Sequence, residues 1–340
     1  MARRSHSPSR ARTISDVAEL AGVSLSTVSR VMNGSTTVDA ALSERVRQAA
    51  HSLNYSASPV ARSLVLGKTQ TVAVVVPDLA NPVFQGILRG LSAAAARENY
   101  HVLVADSFEN LEEERVLAVE ARRRCDGIVL CAPRMPAEEL ETLLPDLGPV
   151  VLINRDSSTP ASTVTADYRS GMLQLLEHLY SLGHRRIAYL PGSASAQSNL
   201  SRLSAIRDFT EAHPDATVSE RRGGVGFEDG HAAAEIVATS DDTAVLAYND
   251  LVAMGLLSAL TERGVRVPQD VSITGFDDIP FARYTTPPLT TASVPIEELG
   301  RQAWDRMWAL LRDTPPESNL SFEPQLIARG STGPAPDPRP

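Results

Sequence analysis

Long apolar runs are missing from this 340-residue chain. No stretch approaches the ~20 consecutive apolar residues that a membrane-spanning helix needs, so no membrane partner is expected. The N-terminal run MARRSHSPSRARTISD is basic, but no apolar segment follows it. That pattern is not a secretory signal, and the expected address is the cytoplasm. Cysteine is scarce. Cys125 and Cys131 flank the apolar run Gly127–Leu130, and two thiols around one expected strand read as buried and reduced rather than as a disulfide or a metal site. The seven histidines lie without ligand spacing. Neither a Walker loop nor an H-E-x-x-H pair occurs, and Gly223-Gly224-Val225-Gly226 has the spacing of neither a phosphate loop nor a dinucleotide fingerprint. No nucleophile–base set is visible. No catalytic residue, cofactor or metal site is expected, and the chain is not read as an enzyme.

What remains is an ordinary globular composition, 43% hydrophobic and 21% charged, in a chain long enough for two or three domains. Its charge is unevenly spread. Residues 1–68 hold nine Lys and Arg against four Asp and Glu, and the remainder holds 23 against 37, so the net charge of -9 joins a head of +5 to a body of -14. A basic head on an acidic body suits a nucleic-acid-binding module attached to something that avoids nucleic acid. Arg3, Arg4, Arg10 and Arg12 lie in the first twelve residues, which are expected to form a disordered basic tail, so charge alone does not settle the matter.

Helix signals in the head are local and frequent. Thr13 can cap a helix with Asp16 three residues on, and Ile14, Val17, Ala18 and Ala21 repeat at helical spacing. Gly22 supplies a turn. Ser24 caps a second helix with Val28 and Val31 on its apolar face, ended by Asn33-Gly34. Asp39 caps a third, with Leu42, Val46, Ala49, Ala50 and Leu53 on one side. None is long enough to persist alone, so the three must share one small core. Two short helices around a tight glycine turn have the geometry of a helix-turn-helix.

The run TISDVAELAGVSLSTVSRVMNG, with its D-V-A-x-x-A-G-V-S-x-x-T-V-S-R-V-x-N pattern, resembles the DNA-binding head of the LacI/GalR family of transcriptional regulators. The likeness continues through LNYSASPVARSL into VAVVVPDLANPVF. It implies that the second helix lies in the major groove, with Leu25, Ser26 and Arg30 at positions that read base edges. Arginine can bond bidentately to guanine, whereas Leu25 can only touch a thymine methyl or pack. Ser24, Thr27 and Ser29 suit phosphates; for Arg30 a phosphate contact or a solvated helix position is the alternative.

Ser58-Pro59-Val60-Ala61-Arg62-Ser63-Leu64 begins with a good cap and a proline at the first helical position. In the family this hinge folds in the minor groove, and the resemblance puts Arg62 on the DNA and wedges Leu64 between central base pairs. The alternative for Leu64 is packing on the body. Ala57 stands where family members carry proline, so the start of the hinge is open.

Beyond the hinge, β-branched runs (Val72–Val76, His101–Ala105, Gly127–Leu130, Val150–Ile153, Ile187–Leu190, Val245–Tyr248, Val271–Phe276) alternate with helical stretches such as Val83–Glu98, Arg169–Leu182 and Leu251–Arg263. This reads as α/β, with parallel sheets covered by helices, and 270 residues of it suggest two lobes. The resemblance implies the periplasmic-binding-protein type I fold. The expected organisation is a tail (1–12), a helix-turn-helix domain (13–57), a hinge and linker (58–70), a two-lobed effector-binding and dimerisation domain (71–332), and a disordered GPAPDPRP tail (333–340).

Ligands of open α/β sheets bind beyond the carboxyl ends of strands. Asp78, Asn81 and Phe84 follow one strand. Asn154 and Arg155, Asn249 and Asp250, and Asp277 and Asp278 follow three others. The resemblance selects Phe84, Arg155, Arg202, Asn249 and Asp277 as effector-binding residues, with chemistry suited to a sugar: carboxylate and amide for vicinal hydroxyls, arginine as a clamp, an aromatic for a sugar face. Each has a structural alternative: a helix cap for Asn249 and Asp277, an interlobe ion pair for Arg202, solvation for Arg155, core for Phe84. Ala205 replaces the glycine of the family's R-x-x-G. His184 and the Trp304/Trp308 pair read as packing, and Pro287–Thr291 as a return crossover between lobes.

The expected function is a repressor, associated with the nucleoid, that binds near-palindromic double-stranded operator DNA as a homodimer. Its affinity is set by a small-molecule effector. A partner protein in place of the small molecule is the alternative, and a sugar-acting enzyme a remote one.

Overall fold

The structure, a computed structural model, describes residues 12–32, 37–55, 67–156, 161–315 and 318–336. The chain divides into two compact units, Met1–Thr69 and Gln70–Pro340.

The first unit carries helices α1 (Ile14–Ala21), α2 (Leu25–Met32) and α3 (Ala40–Ser52). Asp16 reaches back to accept from the Thr13 amide at 2.7 Å. Gly22 closes α1 in the left-handed region at φ 62°, with its N–H on the carbonyls of the last turn, a conformation that glycine adopts without steric cost. The Asp39 carboxylate caps α3 through the Ala41 and Leu42 amides, worth about 1 kcal/mol. Val17, Ala18, Ala21, Val28, Val31, Val46, Ala49 and Ala50 form one shared core. The expected Leu53 packs half-buried at its edge, and Leu42 is half-buried.

In the second unit, strands β1 (Thr71–Val76), β2 (His101–Asp106), β3 (Gly127–Cys131), β4 (Val150–Ile153) and β5 (Ser162–Ala166) join with β11 (Leu320–Phe322) in a six-stranded sheet. Its order is β11-β5-β4-β3-β1-β2, and every pairing is parallel. Helices α4 (Pro82–Arg97), α5 (Leu111–Arg122), α6 (Ala137–Leu147) and α11 (Ile296–Leu311) belong to this lobe. The second lobe is built on β6 (Arg186–Leu190), β7 (Thr217–Glu220), β8 (Ala244–Ala247) and β9 (Ser272–Thr274), in the order β7-β6-β8-β9, again parallel. Helices α7 (Tyr168–Ser181), α8 (Gln197–Ala212), α9 (Phe227–Thr239) and α10 (Asp250–Glu262) accompany it. A short antiparallel pair, β10 (Thr291–Ser293) with β12 (Gln325–Ile327), lies on returning chain. The path crosses between lobes after β5, after β9 and after β11.

Two details differ from expectation. The run Val271–Phe276 forms a strand only over Ser272–Thr274. Beyond it Gly275 passes so close to Asp250 that a side chain would not fit, and Phe276 turns inward with no exposure. The terminal GPAPDPRP segment was expected to be disordered, but Gly333–Pro336 are placed on the body. The Gly333 amide donates to Ser272 Oγ at 3.1 Å, and the Ala335 amide to the Leu182 carbonyl at 2.8 Å. His184, fully buried, sits between Thr243, Ser272 and the Gly333 carbonyl; burial lowers its pKa. Trp304 and Trp308 stack on each other at 6.0 Å and against Tyr100, a packing role. Cys125 and Cys131 are unpaired and buried. Among the described residues no helix is long and apolar enough to cross a membrane, and no His, Cys, Asp and Glu cluster could hold a metal ion.

Candidate functional site

The sequence pointed to two sites, one in each unit. In the head, α2 presents Leu25, which is 50% exposed, beside exposed Ser26 and Arg30. Val28 and Val31 on its other face are buried, so the helix can offer the first set of residues to a groove without disturbing the core. Ser24 caps α2: its Oγ accepts from the Thr27 amide at 3.2 Å and meets the hydroxyls of Ser26 and Thr27 at 2.8 and 2.9 Å. Thr27 and Ser29 are half-buried. The Arg30 Nε donates to the Ser26 carbonyl one turn back, at 3.3 Å, a long bond on an exposed surface that leaves most of the guanidinium fork available. Arg62 and Leu64 of the hinge lie outside the described residues.

In the body, the carboxyl ends of β1, β3, β4, β8 and β9 converge on a cleft between the lobes. Its lining includes Phe84, Arg202, Asn249 and Asp277, four of the five residues selected from the sequence. Arg202 projects from α8 and is 1% exposed. Its guanidinium carbon lies 4.6, 4.5 and 4.1 Å from the ring centres of Tyr168, Tyr248 and Phe276, so three aromatic faces cage the cation. Arg202 Nε and Nη1 have no hydrogen-bond partner. Buried donors left in this way are costly, and an acceptor entering the cleft would relieve them. No ion pair satisfies Arg202 among the described residues, so the interlobe ion-pair alternative does not hold.

Asp277 is 7% exposed and occupies the left-handed region at φ 103°. Burial pushes its carboxyl up to about 7, and the positive charge of Arg202 opposes the shift. Asn249 serves both readings. Its Oδ1 caps α10 through the Val252 amide at 2.9 Å and its Nδ2 donates to the Val225 carbonyl at 2.9 Å, while the residue also lines the cleft. Phe84 likewise belongs to both the core and the cleft wall.

Arg155 is placed differently. Its guanidinium bonds the carbonyl of Met135 at 2.8 Å and that of Pro133 at 3.5 Å. It lines a neighbouring polar pocket of about 310 Å3, with Asp156, Thr165, Asp167 and Gln197. The solvated alternative fails as well, since the side chain is buried. Two backbone carbonyls near the end of β3 hold it away from the other four.

Several lining residues were not selected from the sequence. Tyr168 accepts from Asn154 Nδ2 at 2.8 Å, and the Tyr248 hydroxyl meets Ser198 Oγ at 2.8 Å. Arg134, 5% exposed, forms a two-pronged ion pair with Glu109 at 2.8 Å on each prong. Beneath it the buried Glu114 carboxylate accepts from the Arg134 and Met135 amides; burial nonetheless raises its pKa. Arg134 is neutralised by Glu109, whereas Arg202 and Asp277 face the cleft as two opposite charges that act on each other, with Asp78 also in the lining. Such a pair can grip a neutral molecule bearing several hydroxyls.

Comparison with known proteins covers both units. A family model for bacterial regulatory proteins of the lacI family matches residues 13–58, and one for periplasmic binding protein-like domains matches residues 176–332. The chain is 34% identical to the HTH-type transcriptional regulator GalR of Escherichia coli K12 over 328 residues, covering 94% of this chain and 95% of GalR. Among solved structures it is similar to the Lac repressor dimer bound to operator and the anti-inducer ONPF, with a TM-score of 0.86 and 27% identity, covering 95% of this chain and 100% of that one. It is also similar to the regulator CelR in complex with cellobiose, with a TM-score of 0.66 and 29% identity, covering 94% and 99%. At this identity and coverage the chain is a member of the LacI family, a helix-turn-helix transcriptional regulator and not an enzyme.

Proposed function

We propose that the chain is a homodimeric repressor that acts at the nucleoid, binds a near-palindromic operator through α2 and the hinge, and is controlled by a polyhydroxylated metabolite, a sugar, held between the lobes. Arg30 and Ser26 read base edges, Leu25 packs against a thymine methyl, and Ser24, Thr27 and Ser29 contact phosphates. Arg62 and Leu64 enter the minor groove.

One observation carries the ligand reading: Arg202 keeps two buried donors unsatisfied in the same cleft as the buried carboxylate of Asp277. Vicinal hydroxyls satisfy both at once, with their oxygens accepting from Arg202 and a hydroxyl hydrogen donated to Asp277. Phe84 offers an apolar wall to a sugar face, while Asn249 shapes the floor. The cellobiose held by CelR supports the same class of ligand. Control is linkage. A ligand that prefers one arrangement of the lobes shifts operator affinity by its differential affinity for the two arrangements.

The test is a thermal-shift screen of sugars, nucleosides and sugar phosphates on the full chain, followed by operator-binding titrations with each hit. A sugar should raise the melting temperature and change operator affinity. If sugars have no effect and a protein captured from the native host changes operator affinity instead, the ligand reading is lost and control by a partner protein replaces it.

A further inference from the structure

In this arrangement of the lobes the cleft that holds Arg202 and Asp277 has about 40 Å3 of room, enough for only a few waters, so a sugar ring enters only when the lobes part. Tyr248 and Tyr168 are the largest rings that the second lobe contributes to its lining. Tyr248 follows β8 directly, one residue before the cap Asn249, and is 7% exposed. Three contacts fix its ring. The hydroxyl is tied to Ser198 Oγ at 2.8 Å, with both residues buried. One face lies 4.5 Å from the Arg202 guanidinium. The other side is covered by Gly192, where a Cβ would come 2.5 Å from Cδ2, Cε2 and Cζ of the ring at once. The ring therefore depends on a glycine opposite it, and it cannot move toward β6 to make way for a ligand.

We propose that Tyr248 is the specificity-determining residue that sets how large a ligand the cleft accepts, admitting one sugar ring and excluding a second on the second-lobe side. The proposal rests on the saccharide reading of the cleft. A fixed wall discriminates by collision: a molecule that extends past Arg202 meets a ring that is held on three sides, and its binding loses whatever displacing that ring costs. A shorter side chain removes the collision and leaves Arg202 and Asp277 in place. The hydroxyl has a lesser part, because the ring rather than the oxygen fills the space.

The experiment measures binding of ribose, glucose, galactose, cellobiose and lactose to the full-length protein and to Tyr248→Ala and Tyr248→Phe by titration calorimetry. Phenol is added as a probe of the vacated space. The wild type should bind a monosaccharide and neither disaccharide. Tyr248→Ala should bind at least one disaccharide about 10-fold or more tighter than the wild type does, and Tyr248→Phe should keep the wild-type size limit. Phenol should stabilise Tyr248→Ala and leave the wild type unchanged. Tyr248→Val repeats every arm if the alanine variant does not fold. Disaccharide binding by the wild type as tight as by the alanine variant overturns the proposal, as does an unchanged ligand range in both shortened variants. If no sugar binds any variant, the saccharide reading fails by itself. Phenol then decides on Tyr248: selective stabilisation of the shortened variant upholds the ring as the plug of the cleft, and no effect refutes it.

Discussion

Asp250 and Thr291 join two stretches of chain that are 41 residues apart: Thr291 Oγ1 donates to Asp250 Oδ1 at 2.7 Å, both residues being buried. The other carboxylate oxygen accepts from the Ile279 amide at 2.8 Å. One side chain therefore ties the first turn of α10, beside the cleft, to the path by which the chain returns to the first lobe. Asp250→Ala would leave a buried amide and a buried hydroxyl without acceptors, each worth about 1–3 kcal/mol. Chemical denaturation should register the two together, a loss of about 2–6 kcal/mol, with Asp250→Asn losing less because one acceptor survives.

A second prediction concerns pH. The Asp277 carboxyl is raised from its usual 3.8 to about 7, chiefly by burial and against the charge of Arg202. The unfolded chain gives up this proton first, so folding takes up a proton between the two values. The associated stability is present in acid and is lost as pH rises through the folded pKa. Burial moves Asp250 in the same direction. Asp277→Asn should flatten the stability profile between about pH 4 and pH 8, as read by thermal melts across pH. The ionised carboxylate is the form that accepts a ligand hydroxyl, so sugar affinity should rise through about pH 7 in the wild type. In Asp277→Asn it should be weaker by about 10-fold or more and lose that rise. Calorimetry at several pH values measures this.

For the head, Arg30→Ala should cost about 1–3 kcal/mol of operator binding and relax the preference at one guanine in each half-site. Arg30 contacts its own helix only through one long bond to the Ser26 carbonyl, so the head should melt unchanged. Selection from a randomised operator library reads the specificity. Equal loss on specific and random DNA would return Arg30 to a phosphate contact.

Leu64→Ala should weaken specific binding by lessening the bend in the operator, while salt-dependent binding to random DNA stays largely intact. Gel-shift titrations with an internal fluorescence pair on the duplex measure affinity and bending together.

How much of this could be read from the sequence depended on how far apart the deciding residues lie. Helix signals are local, and α4, α7 and α10 fall one residue from the stretches expected at Val83, Arg169 and Leu251. The buried central strands announce themselves as continuous β-branched runs, as in Val150–Ile153, which the structure matches end to end. By contrast β5 (STVTA), β7 (TVSE), β10, β11 and β12 were not singled out. They are short and rich in polar residues, and become strands because a partner from elsewhere in the chain lies alongside, as Val164 does for Leu320.

The cleft shows the same division. Arg202 and Asp277 were legible because each sits in a recognisable motif. The resemblance selected Arg155 in the same way, but the Met135 carbonyl that holds it comes from another strand's loop. Tyr248 was counted as the last residue of a strand. Nothing nearby in sequence reveals that its ring meets Gly192, Ser198 and Arg202.

The two cysteines have a practical consequence. Cys125 and Cys131 are 4% and 1% exposed, and burial raises the pKa of both thiols, so neither presents a thiolate to an alkylating reagent at neutral pH. The native protein is thus a silent background for site-directed labelling. A single thiol introduced at exposed Ser26 would carry the only reactive dye, and its emission would report operator docking and ligand release in one cuvette.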